Sequence, residues 1–308
     1  MSALVSIGLP VYNGASSLGD ALSAIREQTY RDLEIVISDN GSTDATAAIC
    51  QQHADADGRI RYERQGANRG AAWNFNYVLR AATGDYFMWA AHDDILSPDF
   101  VEKTHAVLDG RPDVVLCHSE TQPVIAPGDP LGEPYVGFVN DAPSRRDRWN
   151  AALRRSELHA AIYGLMRCDA AQRTRGVLAC VSADWIFIIE MALQGSITQV
   201  PETLQYKRVP PVASDYHTRE ELLRYMGATS TSGGALLRPS RAQVMYQAIS
   251  SLGPLGVPAR ERAVLAMDAC RVYATGWAWR ADAKEIVRSV LDRRAVARPR
   301  ATPQKNAP

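Results

Sequence analysis

Adjacent acidic residues that end an apolar stretch are the feature of this sequence best suited to chemistry. Residues 84–95 read Gly-Asp-Tyr-Phe-Met-Trp-Ala-Ala-His-Asp-Asp-Ile, so a strand-like run stops at His92, Asp93 and Asp94. Neighbouring carboxylates at the end of a buried strand are costly unless a positive group compensates their charge. Mg²⁺ and Mn²⁺ prefer carboxylate oxygens and often bridge to phosphates. Asp93 and Asp94 are therefore candidate ligands for Mg²⁺ or Mn²⁺.

These residues also have structural interpretations. Asp93 and Asp94 are compatible with helix capping ahead of Pro98, or with exposed loop charge. His92 is either a metal ligand or a side chain that only forms a local hydrogen bond.

A second strand-like run, residues 33–38, ends at Asp39, which is followed by Asn-Gly-Ser-Thr-Asp. A carboxylate at such a sheet edge can accept hydrogen bonds from a base or a ribose, although the same residues are typical of a turn. Two strands that bring acidic residues to one edge predict a site for a nucleoside diphosphate.

Two later segments also have both a functional and a structural interpretation. Asp184 opens an apolar helix predicted over 182–193 and is either a general base for an alcohol or a helix-start carboxylate favoured by the helix dipole. The triplet Tyr206-Lys207-Arg208 would either screen phosphate charge or be solvated.

Strands and helices alternate through the first part of the chain. Strands are predicted at 4–9, 33–38, 59–63, 86–91 and 114–119, and helices at 16–28, 43–53, 71–82 and 99–110. This order predicts an α/β fold with a Rossmann-like, mainly parallel sheet that is covered by helices on both faces. Ligands of such sheets bind at the carboxyl ends of the strands.

In the rest of the chain the sequence pattern changes twice. Residues 122–143 are rich in proline and glycine and predict a long surface loop, and helices are predicted at 145–155 and 182–193. A C-terminal helical extension follows, with helices at 220–226, 241–251, 259–279 and 281–294. We expect an enzymatic domain at 1–219, a helical region at 220–297 and a disordered tail at 298–308.

The predicted helix at 281–294 is basic and amphipathic. Such a helix either lies on an anionic bilayer, as a peripheral membrane contact, or packs against the helix before it.

Composition excludes several classes of protein. The 308 residues contain 34 Lys and Arg against 34 Asp and Glu, so no global charge favours nucleic acid. The five scattered cysteines form no C-x-x-C pair, which argues against a zinc site and a disulfide framework. Neither a G-x-G-x-x-G motif after the first strand nor a P-loop is present. Without a signal peptide or a long apolar span, a cytoplasmic protein is expected, including one that works at the inner face of the cell membrane.

Four segments, taken in order, resemble the inverting family 2 nucleotide-sugar glycosyltransferases, which have the GT-A fold. They read Val-Ser-Ile-Gly-Leu-Pro-Val-Tyr-Asn-Gly from Val5, Asp-Leu-Glu-Ile-Val-Ile-Ser-Asp-Asn-Gly-Ser-Thr-Asp from Asp32, Asn-Arg-Gly from Asn68, and the run that ends at Asp94. The resemblance covers about residues 4–100 and continues more loosely to about residue 210.

The resemblance implies a role for each matching residue. Pro10, Tyr12 and Asn13 would line the nucleotide pocket, and Asp39 would contact the base. Asn68 and Arg69 would border the nucleotide and its diphosphate, with His92 beside them. Asp93 matches the last acid of the family's D-x-D metal motif, with Asp94 next to it, and Asp184 matches the catalytic base.

Three positions depart from the family pattern. Ala91 replaces the first acid of D-x-D, Ala183 replaces the glutamate before the base, and Val209-Pro-Pro replaces a late histidine. These departures leave Asp93 as the principal metal carboxylate.

Together these features predict metal-assisted, inverting transfer of a sugar from a nucleoside-diphosphate sugar to a glycan or glycolipid hydroxyl, as in the synthesis of bacterial surface polysaccharide. Two alternatives remain: an inactive nucleotide-sugar-binding subunit, and a sugar nucleotidyltransferase. The latter would carry a glycine-rich basic loop where this chain has Pro-Val-Tyr-Asn-Gly from Pro10. The sequence leaves the oligomeric state open.

Overall fold

The computed structural model describes residues 3–126, 128–154, 161–209, 225–227 and 240–275. The strands are β1 Val5–Val11, β2 Leu33–Asp39, β3 Ile60–Arg64, β4 Tyr86–Trp89, β5 Ile95–Leu96, β6 Val114–Ala126, β7 Asp129–Pro130, β8 Leu165–Arg167 and β9 Ser196–Arg208. The helices are α1 Leu18–Arg26, α2 Thr46–Ala56, α3 Ala71–Ala81, α4 Phe100–Gly110, α5 Arg145–Arg154, α6 Cys168–Arg173, α7 Ala183–Ala192, α8 Ser240–Ser251 and α9 Ala259–Thr275.

The strands form one sheet in the order β3-β2-β1-β4-β8-β6-β9-β5, with β7 paired to β6. The pairs β3–β2, β2–β1, β1–β4 and β6–β9 are parallel. Strand β8 is antiparallel to both of its neighbours, and β5 is antiparallel to β9. The carboxyl ends of β1, β2 and β4 consequently meet at one edge.

Side-chain alternation along the strands builds a core on each face of the sheet. In β4, Tyr86 and Met88 belong to the core that includes α1 and α4, whereas Phe87 and Trp89 belong to the core that includes α3, α5 and α7. The short β4 is buried along its whole length, as a central strand covered on both faces must be.

The C-terminal helices α8 and α9 pack on the second of these cores. The Trp149 indole in α5 donates a hydrogen bond to the Leu265 carbonyl, and Arg146 forms a bidentate pair with Asp268. Arg145 pairs with Glu261. Helices α5 and α9 are thus joined by both apolar and charged contacts.

The structure confirms the α/β fold with its mainly parallel sheet and corrects several local predictions. Residues 122–143 do not form one long loop, because β6 runs on to Ala126 and turns back into β7. The sequence pattern did not predict the long strand β9 or the short strand β8, whose few residues carry no readable alternation.

Other predictions concern residues outside the described part of the chain. The helix at 281–294 and the tail at 298–308 lie there, as do most of the helix at 220–226 and the end of that at 259–279. None of the helices in the described ranges is long and apolar enough to cross a membrane.

A charge cluster fastens the end of α2 to the start of β3. The Asp57 carboxylate accepts hydrogen bonds from the Arg59 backbone and guanidinium and from the Arg26 guanidinium. The bonds from Arg59, which outweigh the opposing effect of burial, hold the pKa of Asp57 well below its ordinary value.

We expect Asp57→Asn to lower the free energy of unfolding by about 1–2 kcal/mol at pH 7, because the amide keeps the shape but loses the charge-assisted bonds. Since the pKa is depressed in the folded state, this stability is present above the ordinary carboxyl pKa near 4 and is lost as the pH falls below it. Urea unfolding of both proteins between pH 7 and pH 3 measures the difference. A difference that does not shrink with falling pH would contradict the assignment to this carboxylate.

Candidate active site

The loops that follow β1 and β2 are fastened to each other by side chains. The Asn13 amide accepts a hydrogen bond from the Thr43 N–H at 2.8 Å, and the Asn13 N–H donates to the Ser42 hydroxyl at 2.9 Å. The Gly14 N–H donates to the Thr46 hydroxyl at 2.9 Å. Asn13 adopts a left-handed backbone conformation with φ of 52°, which asparagine tolerates better than most residues. Asn13 therefore shapes the loop and does not line the cavity described next.

A cavity of about 240 Å³ opens at this sheet edge. Seven residues that the sequence analysis singled out line it, and they are Pro10, Tyr12, Asn68, His92, Asp93, Asp94 and Lys207. The remaining lining residues are Val11, Asn40, Ala71, Asn74, Phe75, Ala91, Tyr163 and Tyr225. We call this the donor cavity. It brings together residues of β1, α3 and β9 and of the segments that follow β2 and β4, which are widely separated in the chain.

Asp39 lies beneath the donor cavity and does not line it. Its side chain is fully buried, and it accepts hydrogen bonds from the Ser42 N–H at 2.8 Å and the Tyr62 hydroxyl at 3.2 Å. The Arg64 guanidinium lies 3.5 Å away. Burial, with the Asp39 charge second, raises the pKa of Tyr62. These contacts give Asp39 a role in holding the loop after β2, and its contact with a base stays a prediction.

The Asn40 side chain organises the segment that leads into α3. Its amide nitrogen donates to the Asn68 side-chain oxygen at 3.0 Å and to the Gly70 carbonyl, while its oxygen accepts from the Arg69 N–H at 3.0 Å. The exposed Arg69 side chain stacks on Trp73, with the guanidinium carbon 3.9 Å from the ring centroid. Arg69 thus lies outside the cavity lining, whereas Asn68 is held within it.

Asp94 is the buried member of the acidic pair. Its side chain is 6% exposed and accepts a hydrogen bond from the Gln205 amide at 3.2 Å. Burial, and after it the charge of Asp93, raises the pKa of the Asp94 carboxyl to about 7, although Lys207 and Gln205 act in the opposite direction. Both causes penalise the ionised form, so an additional cation near the pair would stabilise it.

The acidic pair does not by itself make up a complete set of metal ligands. Among the described residues, no group of three or more histidine, cysteine, aspartate or glutamate side chains could hold a metal ion. Ala91, which stands where the metal motif of the resembled family has its first acid, lines the cavity without a ligating atom. Mg²⁺ commonly takes only one or two carboxylates and completes its shell with water and substrate phosphates. Asp93 and Asp94 fit this arrangement, in which two carboxylates hold the ion and water and phosphates complete its shell.

Asp184 lies in a second, adjoining cavity of about 470 Å³, which we call the acceptor cavity. Asp184 is in the first turn of α7, and its side chain accepts a hydrogen bond from the Trp185 N–H at 2.8 Å. The Trp185 indole donates in turn to the buried Ala152 carbonyl at 2.9 Å, which fixes the start of the helix. Ala183, in place of a glutamate, also lines this cavity.

The two cavities share a wall. It consists of Ala71, Phe75, Tyr163, Lys207 and Tyr225. Burial, together with the charges of Asp94, Asp93 and Asp184, raises the pKa of the Tyr163 phenol well above its ordinary value. Tyr163 is therefore a neutral hydroxyl between the acidic pair on one side and Asp184 on the other.

Asn74 presents an unused hydrogen-bond acceptor in the wall of the donor cavity. Its amide nitrogen donates to the Ser38 carbonyl at 2.9 Å and to the Val11 carbonyl at 3.3 Å, so the orientation of the amide is fixed. The side-chain oxygen is buried and has no hydrogen-bond partner among the described residues. Buried polar atoms usually have a partner, so this oxygen favours a ligand or a water that donates to it.

Sequence reasoning did not find Asn40, Asn74, Tyr163 or Tyr225. Asn40 was visible only as part of a turn, and Asn74 only as a helical residue. Tyr163 and Tyr225 come from segments without a motif, and only the folded chain brings them to the cavities.

Two glycines allow the segment at 225–227 to approach α3 closely. Gly70 has φ of 86° and Gly227 has φ of 83°, and a Cβ added to Gly70 would lie 2.4 Å from the Gly227 Cα. A side chain at either position would be strained and would meet backbone. This contact places Tyr225 against both cavities.

We expect Gly70→Ala to lower the free energy of unfolding by about 1–3 kcal/mol, because it combines backbone strain with a backbone clash. Gly66→Ala is the matched control, since a Cβ there meets nothing within 4 Å. Urea unfolding measures both variants. Equal midpoints for the two would refute the close approach of Gly70 to Gly227.

Comparison with known proteins gives the family that the chain is similar to. Residues 6–155 match the model of the family described as glycosyl transferase family 2. The chain is 35% identical over 122 residues to an uncharacterized glycosyltransferase of Rickettsia typhi, across 39% of this chain and 37% of that protein. It is 35% identical over 102 residues to the glycosyltransferase GlyG of Streptococcus pneumoniae, across 33% and 34% of the two chains. The match spans about a third of the length of these relatives.

Solved structures show the same fold. The structure of TarS from S. aureus in complex with UDP-GlcNAc aligns with a TM-score of 0.61 and 13% identity, over 89% of this chain and 74% of that one. The mannosyltransferase PcManGT from Pyrobaculum calidifontis, in complex with GDP-Man and Mn²⁺, aligns with a TM-score of 0.54 and 17% identity, over 97% and 89%.

Proposed function

Since residues 6–155 belong to glycosyl transferase family 2, we propose that this chain transfers a sugar from a nucleoside-diphosphate donor to an acceptor hydroxyl. The observation that carries the proposal is the pair of adjoining cavities, one with Asp93 and Asp94 and the other with Asp184. Donor and acceptor would meet at the shared wall, which is where a transfer reaction needs them.

The donor cavity has the chemistry of a nucleoside-diphosphate site. Tyr12, Asn68 and the free oxygen of Asn74 offer stacking and hydrogen bonds to a nucleoside or a sugar. Asp93 and Asp94 would hold Mg²⁺ or Mn²⁺ together with the diphosphate, and the ion would neutralise charge on the leaving group. Lys207, which also lines this cavity and lowers the pKa of Asp94 by its charge, would add a positive charge. The solved relatives support this choice, since TarS was complexed with UDP-GlcNAc and PcManGT with GDP-Man and Mn²⁺.

Asp184 is proposed as the general base. From the acceptor cavity it would take the proton of the acceptor hydroxyl while that oxygen attacks the anomeric carbon and the nucleoside diphosphate leaves. A single displacement inverts the anomeric configuration. The acceptor cavity is otherwise largely apolar, with Ile162, Val177 and Val181 in its lining, which suits the carbon face of a sugar or a glycolipid.

The cellular role belongs to the same proposal. We place the enzyme in the synthesis of bacterial surface polysaccharide or glycolipid, on the cytoplasmic side of the membrane. A peripheral contact through residues 281–294, which lie outside the described ranges, would bring it to a membrane-bound acceptor.

Asp184→Asn should reduce donor hydrolysis or transfer by about 10²–10⁴-fold, because the amide cannot accept the proton, while donor affinity is retained. A panel of UDP-, dTDP- and GDP-sugars with Mn²⁺ measures binding by calorimetry and turnover by release of the nucleoside diphosphate. Asp169→Asn is the matched control, because Asp169 is an exposed aspartate that lines neither cavity.

Turnover of Asp184→Asn at the wild-type rate would eliminate Asp184 as the base. Donor binding by wild-type protein without turnover on any acceptor would favour an inactive binding subunit. Release of pyrophosphate from a nucleoside triphosphate and a sugar phosphate would favour a nucleotidyltransferase.

A further inference from the structure

Strand β9 donates a side-chain hydrogen bond to the acidic pair. The Gln205 amide nitrogen donates to Oδ2 of Asp94 at 3.2 Å, and Gln205 is only 3% exposed. Because both side chains are buried, water cannot replace this bond freely. The direction in which the Asp94 carboxylate faces therefore depends on the Gln205 amide.

A glutamine side chain can adopt two orientations that exchange its amide nitrogen and oxygen. The two orientations have opposite effects on the Asp94 carboxylate. With nitrogen toward Asp94 the amide donates to the carboxylate, whereas with oxygen toward Asp94 two acceptors would face each other. The Thr121 hydroxyl lies 3.4 Å from the Gln205 side-chain oxygen, where it can donate. A hydroxyl can donate or accept, so this contact alone does not select an orientation. The ionised Asp94 carboxylate, which can only accept, selects the orientation in which the nitrogen faces it, and the Thr121 hydroxyl then supplies a donor to the buried Gln205 oxygen.

Thr121 is itself held firmly. It is 1% exposed and lies opposite Gln205 in the register of β6 and β9. Its backbone exchanges two hydrogen bonds with Tyr135, at 3.2 and 3.0 Å. The register of β6 shifts at Glu120, immediately before Thr121, and such irregularities change the direction of the side chains that follow.

We propose that Thr121 and Gln205 are positioning residues that orient the Asp94 carboxylate toward the cation of the donor complex. The inference rests on the proposed function, since it assumes that a nucleoside diphosphate binds there with Mg²⁺ or Mn²⁺. Residues that hydrogen-bond to metal ligands commonly control metal affinity without touching the metal. Neither residue lines either cavity.

The test is Thr121→Val, which keeps the shape of the side chain and removes the hydroxyl. Affinity is measured by calorimetry for whichever of UDP, dTDP and GDP the wild-type protein binds best, with and without Mn²⁺. We expect affinity in the presence of Mn²⁺ to fall by about tenfold or more, and affinity without Mn²⁺ to stay at the wild-type value. Gln205→Met, which removes the amide at similar volume, should show the same selective loss.

Two further variants complete the design. Thr121→Ser restores the hydroxyl and should restore the Mn²⁺-dependent affinity. Thr198→Val is the matched control, because Thr198 is a buried threonine of β9 that pairs with Cys117, away from Gln205. It should bind as the wild type does.

Wild-type affinity of Thr121→Val with Mn²⁺ would overturn the inference and leave the proposed function intact. Equal losses with and without Mn²⁺ would also overturn it, because they indicate general damage to the cavity. Absence of Mn²⁺-dependent binding in wild-type protein would remove the proposed function, and this inference with it.

Discussion

The burial of a carboxylate in the segment between β4 and β5 is the constraint around which the site is built. Asp94 is almost fully enclosed beside a second carboxylate, and burial raises its pKa to about 7. The fold compensates this charge only in part, through Gln205 and the nearby Lys207. A cation that arrives with a diphosphate would supply the rest, so the unfavourable electrostatics of the acidic pair would favour binding of the proposed donor complex.

The parallel strands give this arrangement its precision. Strands β1, β2 and β4 end side by side, and the loops that follow them are joined by the side chains of Asn13, Asn40 and Asp39. These three polar residues form hydrogen bonds with neighbouring backbone and side chains. Asn13 and Asp39 support the loops without lining the donor cavity, whereas Asn40 also lines it. Positioning by buried polar contacts is effective because each unmade bond in the interior would be costly.

How much of this site could be predicted from the sequence depends on where each residue lies in the fold. Among the predicted positions in the first hundred residues, Asp39, His92, Asp93 and Asp94 follow apolar runs that are visible in the sequence, whereas Pro10, Tyr12, Asn13, Asn68 and Arg69 were implied only by the family resemblance. Six of these positions line the donor cavity. The side chains of Asp39 and Asn13 instead form hydrogen bonds within the loops. Sequence type alone does not distinguish a residue that faces a ligand from one that supports it.

The residues that were missed depend on tertiary structure. Tyr163 follows a region without periodicity, and Tyr225 approaches α3 only because Gly70 and Gly227 lack side chains. Strand β9, which contributes Gln205, has a mixed polar pattern because only part of it is buried. Likewise, the partners Thr121 and Gln205 are 84 residues apart, and only the register of β6 against β9 brings them together.

The most direct test of the central claim is a crystal structure with Mn²⁺ and a bound nucleoside-diphosphate sugar, in which anomalous scattering locates the ion. We predict manganese at about 2.0–2.2 Å from carboxylate oxygen of the acidic pair, with the diphosphate beside it and the sugar directed toward the wall shared with the Asp184 cavity. Manganese and diphosphate bound away from Asp93 and Asp94, or a sugar directed away from Asp184, would contradict the account.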